Sequence, residues 1–90
     1  MDTPNARKTC STPAEFGQAF RQEREALGLT QSDVANAARC RRQTIGDLEE
    51  GKNVGMLTMF RALGAIGKRL AIHADRPDAA DIARMLEDEE

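Results

Sequence analysis

Residues 29–51 read LTQSDVANAARCRRQTIGDLEEG, and this stretch decides the fold. Its apolar residues recur at helical spacing in two short groups, which predicts two helices joined by a tight turn. Thr30 can cap the first helix, and Gly51 ends the second, which we expect to begin near Arg42 and end near Glu49. The residues expected to face inward are Val34, Ala35 and Ala38 in the first helix, and Ile45 and Leu48 in the second.

Two further helices are expected on either side of this unit. Thr12, Pro13 and Glu15 form a helix start of the capping-box type, and Gly28 ends the helix that follows. A fourth helix is expected over residues 56–66, with a broad apolar face that we interpret as core. The residues of that face are Met56, Leu57, Met59, Phe60, Leu63 and Ile66.

The residues after the fourth helix change period. Residues 69–74 alternate weakly, with Leu70, Ile72 and Ala74 on one face, which predicts a single strand. A lone strand leaves its backbone donors and acceptors unpaired, so the simplest partner is the same strand of a second copy. We therefore expect a homodimer joined through these residues. The alternatives are an extension of the fourth helix or a loop.

Composition indicates one small domain. Ninety residues suffice for one core and not for two, and no apolar run is long enough to cross a membrane. Cys10 and Cys40 do not make a disulfide framework, so we expect free thiols and a cytoplasmic location. Cys40 is expected to pack as a small hydrophobe. The lone His73 has no obvious catalytic partner, and we expect neither an enzyme nor a metal or other cofactor.

Charge is divided along the chain. Residues 1–74 carry 11 basic and 8 acidic residues, a net charge of +3, whereas residues 75–90 carry 2 basic and 7 acidic residues, a net charge of −5. A mildly basic body with an acidic tail is typical of a polyanion binder with an appended interaction segment. The expected divisions are a flexible N-terminal arm over 1–11, a helix-turn-helix domain over 12–67, a dimerisation strand over 68–75 and an acidic C-terminal tail over 76–90.

The start of the third helix carries the side chains that can read a duplex. Arginine can donate two hydrogen bonds to guanine, and glutamine can pair with adenine, in the major groove. Cations at a helix N-terminus oppose the helix dipole, and a DNA phosphate would relieve that repulsion. The alternative is a surface turn with solvated arginines. The candidate DNA-binding residues here are Gln31, Arg39, Arg41, Arg42, Gln43, Gly46 and Asp47.

Two of these candidates have other interpretations. Asp47 could accept from a cytosine amino group, but pairing with an arginine is the preferred reading. Gly46 leaves room for a base or its methyl group, at a cost of about 1 kcal/mol relative to alanine inside a helix. Chance is a fair alternative for that glycine.

The segments LTQSDVANAA at 29–38 and TIGDLEEG at 44–51 resemble the Cro/repressor-type (Xre-like) helix-turn-helix family. The ending ALGAIGKRLAI at 62–72 resembles, more narrowly, the antitoxin partners of Hip-type serine/threonine kinases. The resemblance implies an all-α, lambda-repressor-like bundle of five or nearly five helices, with a short C-terminal strand that pairs across a homodimer. It also implies that Gln31 lies on a phosphate and that Lys52 and Asn53 contact the DNA backbone.

The chain departs from the family pattern in the turn. Arg39 replaces the usual glycine, and Arg41 stands where serine or threonine often caps the third helix. If Arg39 adopts a left-handed backbone, the strain is about 1–2 kcal/mol.

The function expected from these features is a sequence-specific repressor that binds double-stranded DNA at an inverted repeat as a homodimer. The resemblance further implies an antitoxin that represses its own operon and neutralises a Hip-type kinase toxin. The alternatives are a stand-alone phage-type or metabolic repressor, and a protein-interaction module that does not bind DNA.

Overall fold

The computed structural model describes residues 9–74 and Leu86. Within residues 9–74 the regular structure consists of four helices: α1 Pro13–Ala26, α2 Gln31–Ala38, α3 Arg42–Glu49 and α4 Met56–Ala65. The all-α helix-turn-helix bundle is thereby confirmed, and α3 has the limits expected from the sequence. The predicted arm up to residue 8 and the predicted tail, apart from Leu86, lie outside the described residues.

The start of α1 follows the expected capping pattern with one difference. The Thr12 hydroxyl accepts a hydrogen bond from the backbone N–H of Glu15 at 3.1 Å. The Glu15 carboxylate, however, accepts from the backbone N–H of Ser11 at 2.6 Å. Glu15 therefore fixes the residue before the cap, and the chain entering α1 is tied down one residue earlier than the sequence pattern indicates.

At the start of α2 a complete capping box forms. The Thr30 hydroxyl accepts from the backbone N–H of Asp33 at 3.0 Å, and the Asp33 carboxylate accepts from the backbone N–H of Thr30 at 2.8 Å. These hydrogen bonds to Thr30 hold the pKa of the Asp33 carboxyl below its ordinary value. The box fixes the first turn of the helix that supports the candidate interface.

The core lies where α2 and α3 meet α1 and α4. α2 packs against both α3 and α4, and α1 packs against α3. Ile45 is fully buried and Val34 is almost so, which places α3 firmly on α2. The buried apolar cluster contains Phe20, Val34, Ala35, Ile45, Leu48, Ala62, Leu63 and Ile66. The inward-facing residues expected in α2 and α3 are confirmed.

Two glycines let α1 approach the end of α3. A Cβ atom at Gly17 would collide with the backbone carbonyl oxygens of Leu48, at 2.5 Å, and Glu49. A Cβ atom at Gly51 would lie 2.8 Å from Cα of Ala14, and Gly51 has a φ of +80°. Because backbone, rather than side chain, occupies the space at both positions, only glycine fits without moving α1.

The interpretation of the whole apolar face of α4 as core is wrong in part. Leu63 and Ile66 are buried, but Met56, Leu57 and Phe60 are 70%, 62% and 48% exposed. Helical spacing predicts correctly that these residues share a broad face. It does not show how much of that face the rest of one protomer covers, and here α2 covers only one side.

Residues 68–74 continue neither as a helix nor as an assigned strand. Gly67, with a φ of +73°, ends the last turn, and the N–H of Lys68 closes it by donating to the carbonyl oxygen of Leu63 at 2.9 Å. The extension of α4 is therefore wrong. All residues of 68–74 are exposed, Ile72 completely. Strand pairing with a second copy involves a partner chain and stays a prediction.

Candidate nucleic-acid interface

The turn between α2 and α3 is built around a left-handed arginine. Arg39 has φ 60° and ψ 48°, and its N–H donates to the carbonyl oxygen of Asn36 at 3.3 Å. The N–H of Cys40 donates to the carbonyl oxygen of Ala35 at 3.0 Å and completes the end of α2. The arginine thus adopts a left-handed conformation that glycine would adopt at less cost.

The N-terminus of α3 carries exposed donors and has no side-chain cap. Arg41 occupies the N-cap position with an extended backbone and makes no capping hydrogen bond, and no acidic residue lies in the first turn. Arg41, Arg42 and Gln43 are all exposed. The positive charges of Arg41 and Arg42 add to the positive end of the helix dipole, so this end of α3 favours an anion.

A chain of hydrogen bonds connects this end of α3 with the interior. Arg42 Nη1 donates to Gln31 Oε1 at 2.7 Å, and Gln31 Nε2 donates to Glu49 Oε1 at 3.0 Å. Gln31 is half-buried at the start of α2, whereas Arg42 is exposed. The two side chains that the sequence placed on different helices of the motif therefore contact each other directly.

The inner end of this chain is a buried ion pair that the sequence analysis missed. Arg24 Nε donates to Glu49 Oε2 at 2.6 Å, and Arg24 Nη2 donates to Glu49 Oε1 at 3.0 Å. Arg24 Nη1 also donates to the carbonyl oxygen of Leu29 at 2.7 Å. The hydrogen bonds from Arg24 to Glu49 raise the pKa of the guanidinium above its ordinary value. One guanidinium thus joins α1, the connection to α2 and the end of α3.

A second polar group extends along α3, from Gln43 in its first turn to Lys52 just beyond its end. Gln43 Nε2 donates to Asp47 Oδ1 at 3.1 Å, and Lys52 Nζ lies 3.1 Å from Glu50 Oε1 and 4.0 Å from Asp47 Oδ1. The hydrogen bond to Glu50 raises the pKa of the Lys52 ammonium. The preferred pairing of Asp47 with an arginine is wrong: among the described residues its partners are a glutamine and a lysine.

Gly46 faces Gln31 without crowding it. A Cβ atom at position 46 would lie 3.9 Å from both amide atoms of Gln31, which is ordinary van der Waals contact. The protomer itself therefore gives no steric reason for a glycine inside α3. Asn53 and Arg39 are exposed on the loop after α3 and in the turn before it.

Three further features of the described residues concern metal ligands, cysteines and apolar helices. No group of three or more histidine, cysteine or acidic side chains in residues 9–74 could hold a metal ion. Both cysteines are free, and burial raises the pKa of the half-buried Cys40 thiol, with a smaller opposing effect of Arg61. None of the helices in this part of the chain combines the length and apolarity that a membrane crossing requires.

Comparison with known proteins agrees with this geometry. A family model described as a helix-turn-helix domain matches residues 15–87. Because the match covers most of the sequence, the chain belongs to this helix-turn-helix family. No curated protein is significantly similar to the chain in sequence.

Solved structures share the same fold. The restriction-modification controller protein C.AhdI from Aeromonas hydrophila is 29% identical over 63% of this chain and 88% of its own, with a TM-score of 0.60. HipB in a HipB–O4 20mer complex and in a HipA–HipB–O2–O3 complex is 21% identical over 78% of this chain and all of its own, with a TM-score of 0.73. The resemblance to Cro/repressor-type regulators is confirmed, and the fold is that of DNA-binding regulators.

Proposed function

We propose that this protein is a homodimeric repressor that binds double-stranded DNA sequence-specifically. The observation that most supports this proposal is the N-terminus of α3, which is exposed, uncapped and cationic. The buried side chains of Ile45 and Val34 hold α3 against α2. A helix presented in this way can enter the major groove, where its first residues meet base edges. Arg42 and Gln43 read bases in this proposal, while Arg39, Arg41, Lys52 and Asn53 hold phosphates.

Dimerisation is proposed through the dimerisation strand, residues 68–75. Leu70 and Ile72 are 42% and 100% exposed, although both are apolar. Pairing with the same residues of a second copy would cover them and satisfy their backbone groups. Two α3 helices would then enter successive major grooves about 34–36 Å apart, which requires an inverted repeat.

A narrower proposal is that the repressor is an antitoxin. It is supported by the likeness to HipB over the full length of that chain and by the presence of HipA in one of the HipB structures. The protein would then repress its own operon and neutralise a Hip-type serine/threonine kinase toxin. The decisive experiment is to express the protein together with a kinase-like protein encoded by an adjacent gene. A stable complex and loss of kinase activity support the antitoxin role. A kinase that stays active and unbound contradicts that role and favours a stand-alone repressor.

A protein-interaction module that does not bind DNA is the competing class. The exposed apolar side chains of α4, Met56, Leu57 and Phe60, favour that class because contiguous apolar surface marks a protein contact. The exposed apolar side chains are compatible with both classes if the surface that they form is the contact between the two copies of the dimer. DNA binding is therefore the property that separates them.

The test is selection of bound duplexes from a random pool, followed by titration of the selected sequence at several salt concentrations. A repressor selects an inverted repeat, and its affinity falls steeply as salt rises, because bound phosphates release counterions. Arg42→Ala should cost about 1–3 kcal/mol in specific binding, and Arg21→Ala, an exposed arginine on α1, serves as the matched control. An unselective pool, or equal loss for both variants, would contradict the proposal.

Ile72→Asp tests the dimer separately. The charge would be buried in the proposed strand pairing, so the variant should sediment as a monomer and bind the selected duplex weakly. His73→Asp, one residue along on the other face of the alternating segment, is the control. A dimer unchanged by Ile72→Asp would remove the strand from the proposal.

A further inference from the structure

Glu23 interrupts the apolar spacing of α1. It lies on the same side of the helix as Phe16 and Phe20, which pack into the core. Its carboxylate oxygen Oε1 lies 3.0 Å from Nζ of Lys68, and the two side chains are 33% and 45% exposed. Because Lys68 follows the end of α4, this polar residue of α1 makes a contact with the segment that leaves α4.

Lys68 is held to two helices at once. Its backbone N–H donates to the carbonyl oxygen of Leu63 on α4 at 2.9 Å, whereas its side chain pairs with Glu23 on α1. The residue before this attachment, Gly67, has a φ of +73° and turns the chain, and Ile66 before it is buried at 4% exposure. Two attachments to different helices set the orientation of Lys68 relative to both.

The residues beyond Lys68 have little of the protomer around them. Residues 69–74 are all exposed, although Leu70 and Ile72 are apolar. An exposed segment that leaves a helix through a glycine can pivot there, because glycine adopts many backbone conformations. In the proposed dimer the partner is joined through this segment, so a pivot at Gly67 would move one protomer relative to the other.

α1 connects this contact with the helix that would enter the groove. α1 packs against α3, and its Gly17 lies directly against the backbone of Leu48 and Glu49 at the end of α3. α3 is therefore joined to the dimerisation strand by two routes, one through α2 and α4 and the other through α1 and the Glu23–Lys68 ion pair. The second route restrains a direction that the glycine alone leaves open.

From these contacts we infer that the Glu23–Lys68 ion pair fixes the direction in which the dimerisation strand leaves the protomer, and so sets the half-site spacing that the dimer accepts. The inference rests on the proposed function. One extra base pair moves the half-sites apart by about 3.4 Å and rotates one against the other by about 35°. A dimer with a fixed strand direction should accept one spacing, whereas a dimer with a loose strand should accept several.

The first test compares the selected inverted repeat with versions that have one base pair inserted or removed between the half-sites. Affinities are measured at a concentration where sedimentation shows every variant to be dimeric. Glu23→Gln removes the charge and keeps the size, and it should lower the preference for the selected spacing roughly two- to fivefold. Glu25→Gln is the matched control on α1, because its exposed carboxylate pairs with Arg21 at 3.1 Å and not with the strand.

Charge reversal shows whether the ion pair itself is responsible. Glu23→Lys and Lys68→Glu each place like charges together, so each should broaden the accepted spacings at least as much as Glu23→Gln does. The double variant Glu23→Lys/Lys68→Glu restores the pair with its charges exchanged and should recover the wild-type preference. A double variant that stays as unselective as the single variants would overturn the inference.

A duplex with a single half-site separates spacing from base reading. Glu23→Gln and Glu25→Gln should bind it equally, because each removes one negative charge from α1 and neither residue lies on α3. If Glu23→Gln weakens binding to this duplex as much as to the inverted repeats, Glu23 serves the stability of the protomer and the inference fails. If Glu23→Gln keeps the wild-type spacing preference, the inference fails while the repressor proposal stands. If the wild-type chain selects no inverted repeat, both fail.

Discussion

Two parts of the molecule differ in how completely their apolar side chains are buried. The first part runs from α1 to α3, and the second part runs from α4 to residue 74. In the first part the large apolar side chains are covered, with Leu27 as the exception, and the buried charges of Arg24 and Glu49 satisfy each other. In the second part five large apolar side chains are exposed: Met56, Leu57, Phe60, Leu70 and Ile72. No buried side-chain nitrogen or oxygen in the described residues lacks a partner.

The difference shows that one protomer covers the apolar side chains of α1 to α3 almost completely and leaves several of those in the second part exposed. A monomer rarely exposes so many apolar side chains close together along the chain without a partner for them. In the proposed function that partner is a second copy. Substitutions of the buried side chains should therefore change the stability of the protomer, and substitutions of the exposed apolar side chains in the second part should change its association.

The largest effect is expected at the buried ion pair. Arg24→Met leaves the Glu49 carboxylate buried without its counter-charge, and should lower the free energy of unfolding by about 3–5 kcal/mol. Arg21→Met breaks an exposed pair with Glu25 and should cost less than about 1 kcal/mol. Chemical unfolding followed by circular dichroism compares them. The double variant Arg24→Met/Glu49→Met should recover much of the loss. Equal effects of Arg24→Met and Arg21→Met would show that the buried ion pair contributes no more to stability than the exposed one.

Two leucines of α4 test the contrast within a single helix. Leu63 is 6% exposed, so Leu63→Ala should cost about 2–5 kcal/mol of protomer stability. Leu57 is 62% exposed, so Leu57→Ala should change protomer stability by about 0.5 kcal/mol or less. Unfolding at a concentration where the chain is monomeric gives both values. A large loss from Leu57→Ala under that condition would mean that the outer face of α4 is covered within the protomer after all.

Two glycines give the next contrast. Gly17→Ala forces a Cβ atom against the backbone of Leu48 and Glu49 and should destabilise the protein by about 1–3 kcal/mol. Gly46→Ala meets no such obstacle and should stabilise α3 by about 0.5–1 kcal/mol. Thermal unfolding of the two variants should therefore shift in opposite directions. If Gly46→Ala also abolishes binding to the selected duplex, the glycine is required for DNA binding and not for folding.

The smallest effect is expected in acid. The lowered pKa of Asp33 means that its carboxylate contributes stability above its ordinary pKa of 3.8, and that this stability is lost as the pH falls through the lower, folded-state pKa. The stability difference between the wild-type chain and Asp33→Asn should therefore shrink as the pH is lowered from about 5 to about 2. A difference that stays constant over that interval would show that the charge of Asp33 adds nothing to its cap.

The sequence predicts the helices well because their signals are local. Thr12, Thr30 and Gly51 mark helix ends, and the inward residues of α2 and α3 recur at fixed spacing. The limits of α3 follow from the same signals. Position along a helix, however, does not reveal how wide a face its neighbours cover, which is why Leu57 and Phe60 were misplaced in the core.

The candidate site was only partly predictable for a related reason. The exposed donors at the start of α3 follow from local placement, but the contact of Arg42 with Gln31 depends on how two helices pack. The pair of Arg24 and Glu49 joins residues 25 positions apart. A signal did exist: Glu49 lies one residue after the inward-facing Leu48, on a helix whose other inward residues are apolar. A buried carboxylate there needs hydrogen-bond donors and a counter-charge, and the sequence alone does not say which arginine supplies the charge.

Arg39 shows that the most stable residue for a turn is not always the one that a protein carries. A glycine in its left-handed backbone would avoid a penalty of about 1–2 kcal/mol. Replacing Arg39 with glycine should therefore make the protein more resistant to heat, at the loss of one positive charge beside α3. Thermostability and affinity should trade against each other at this position.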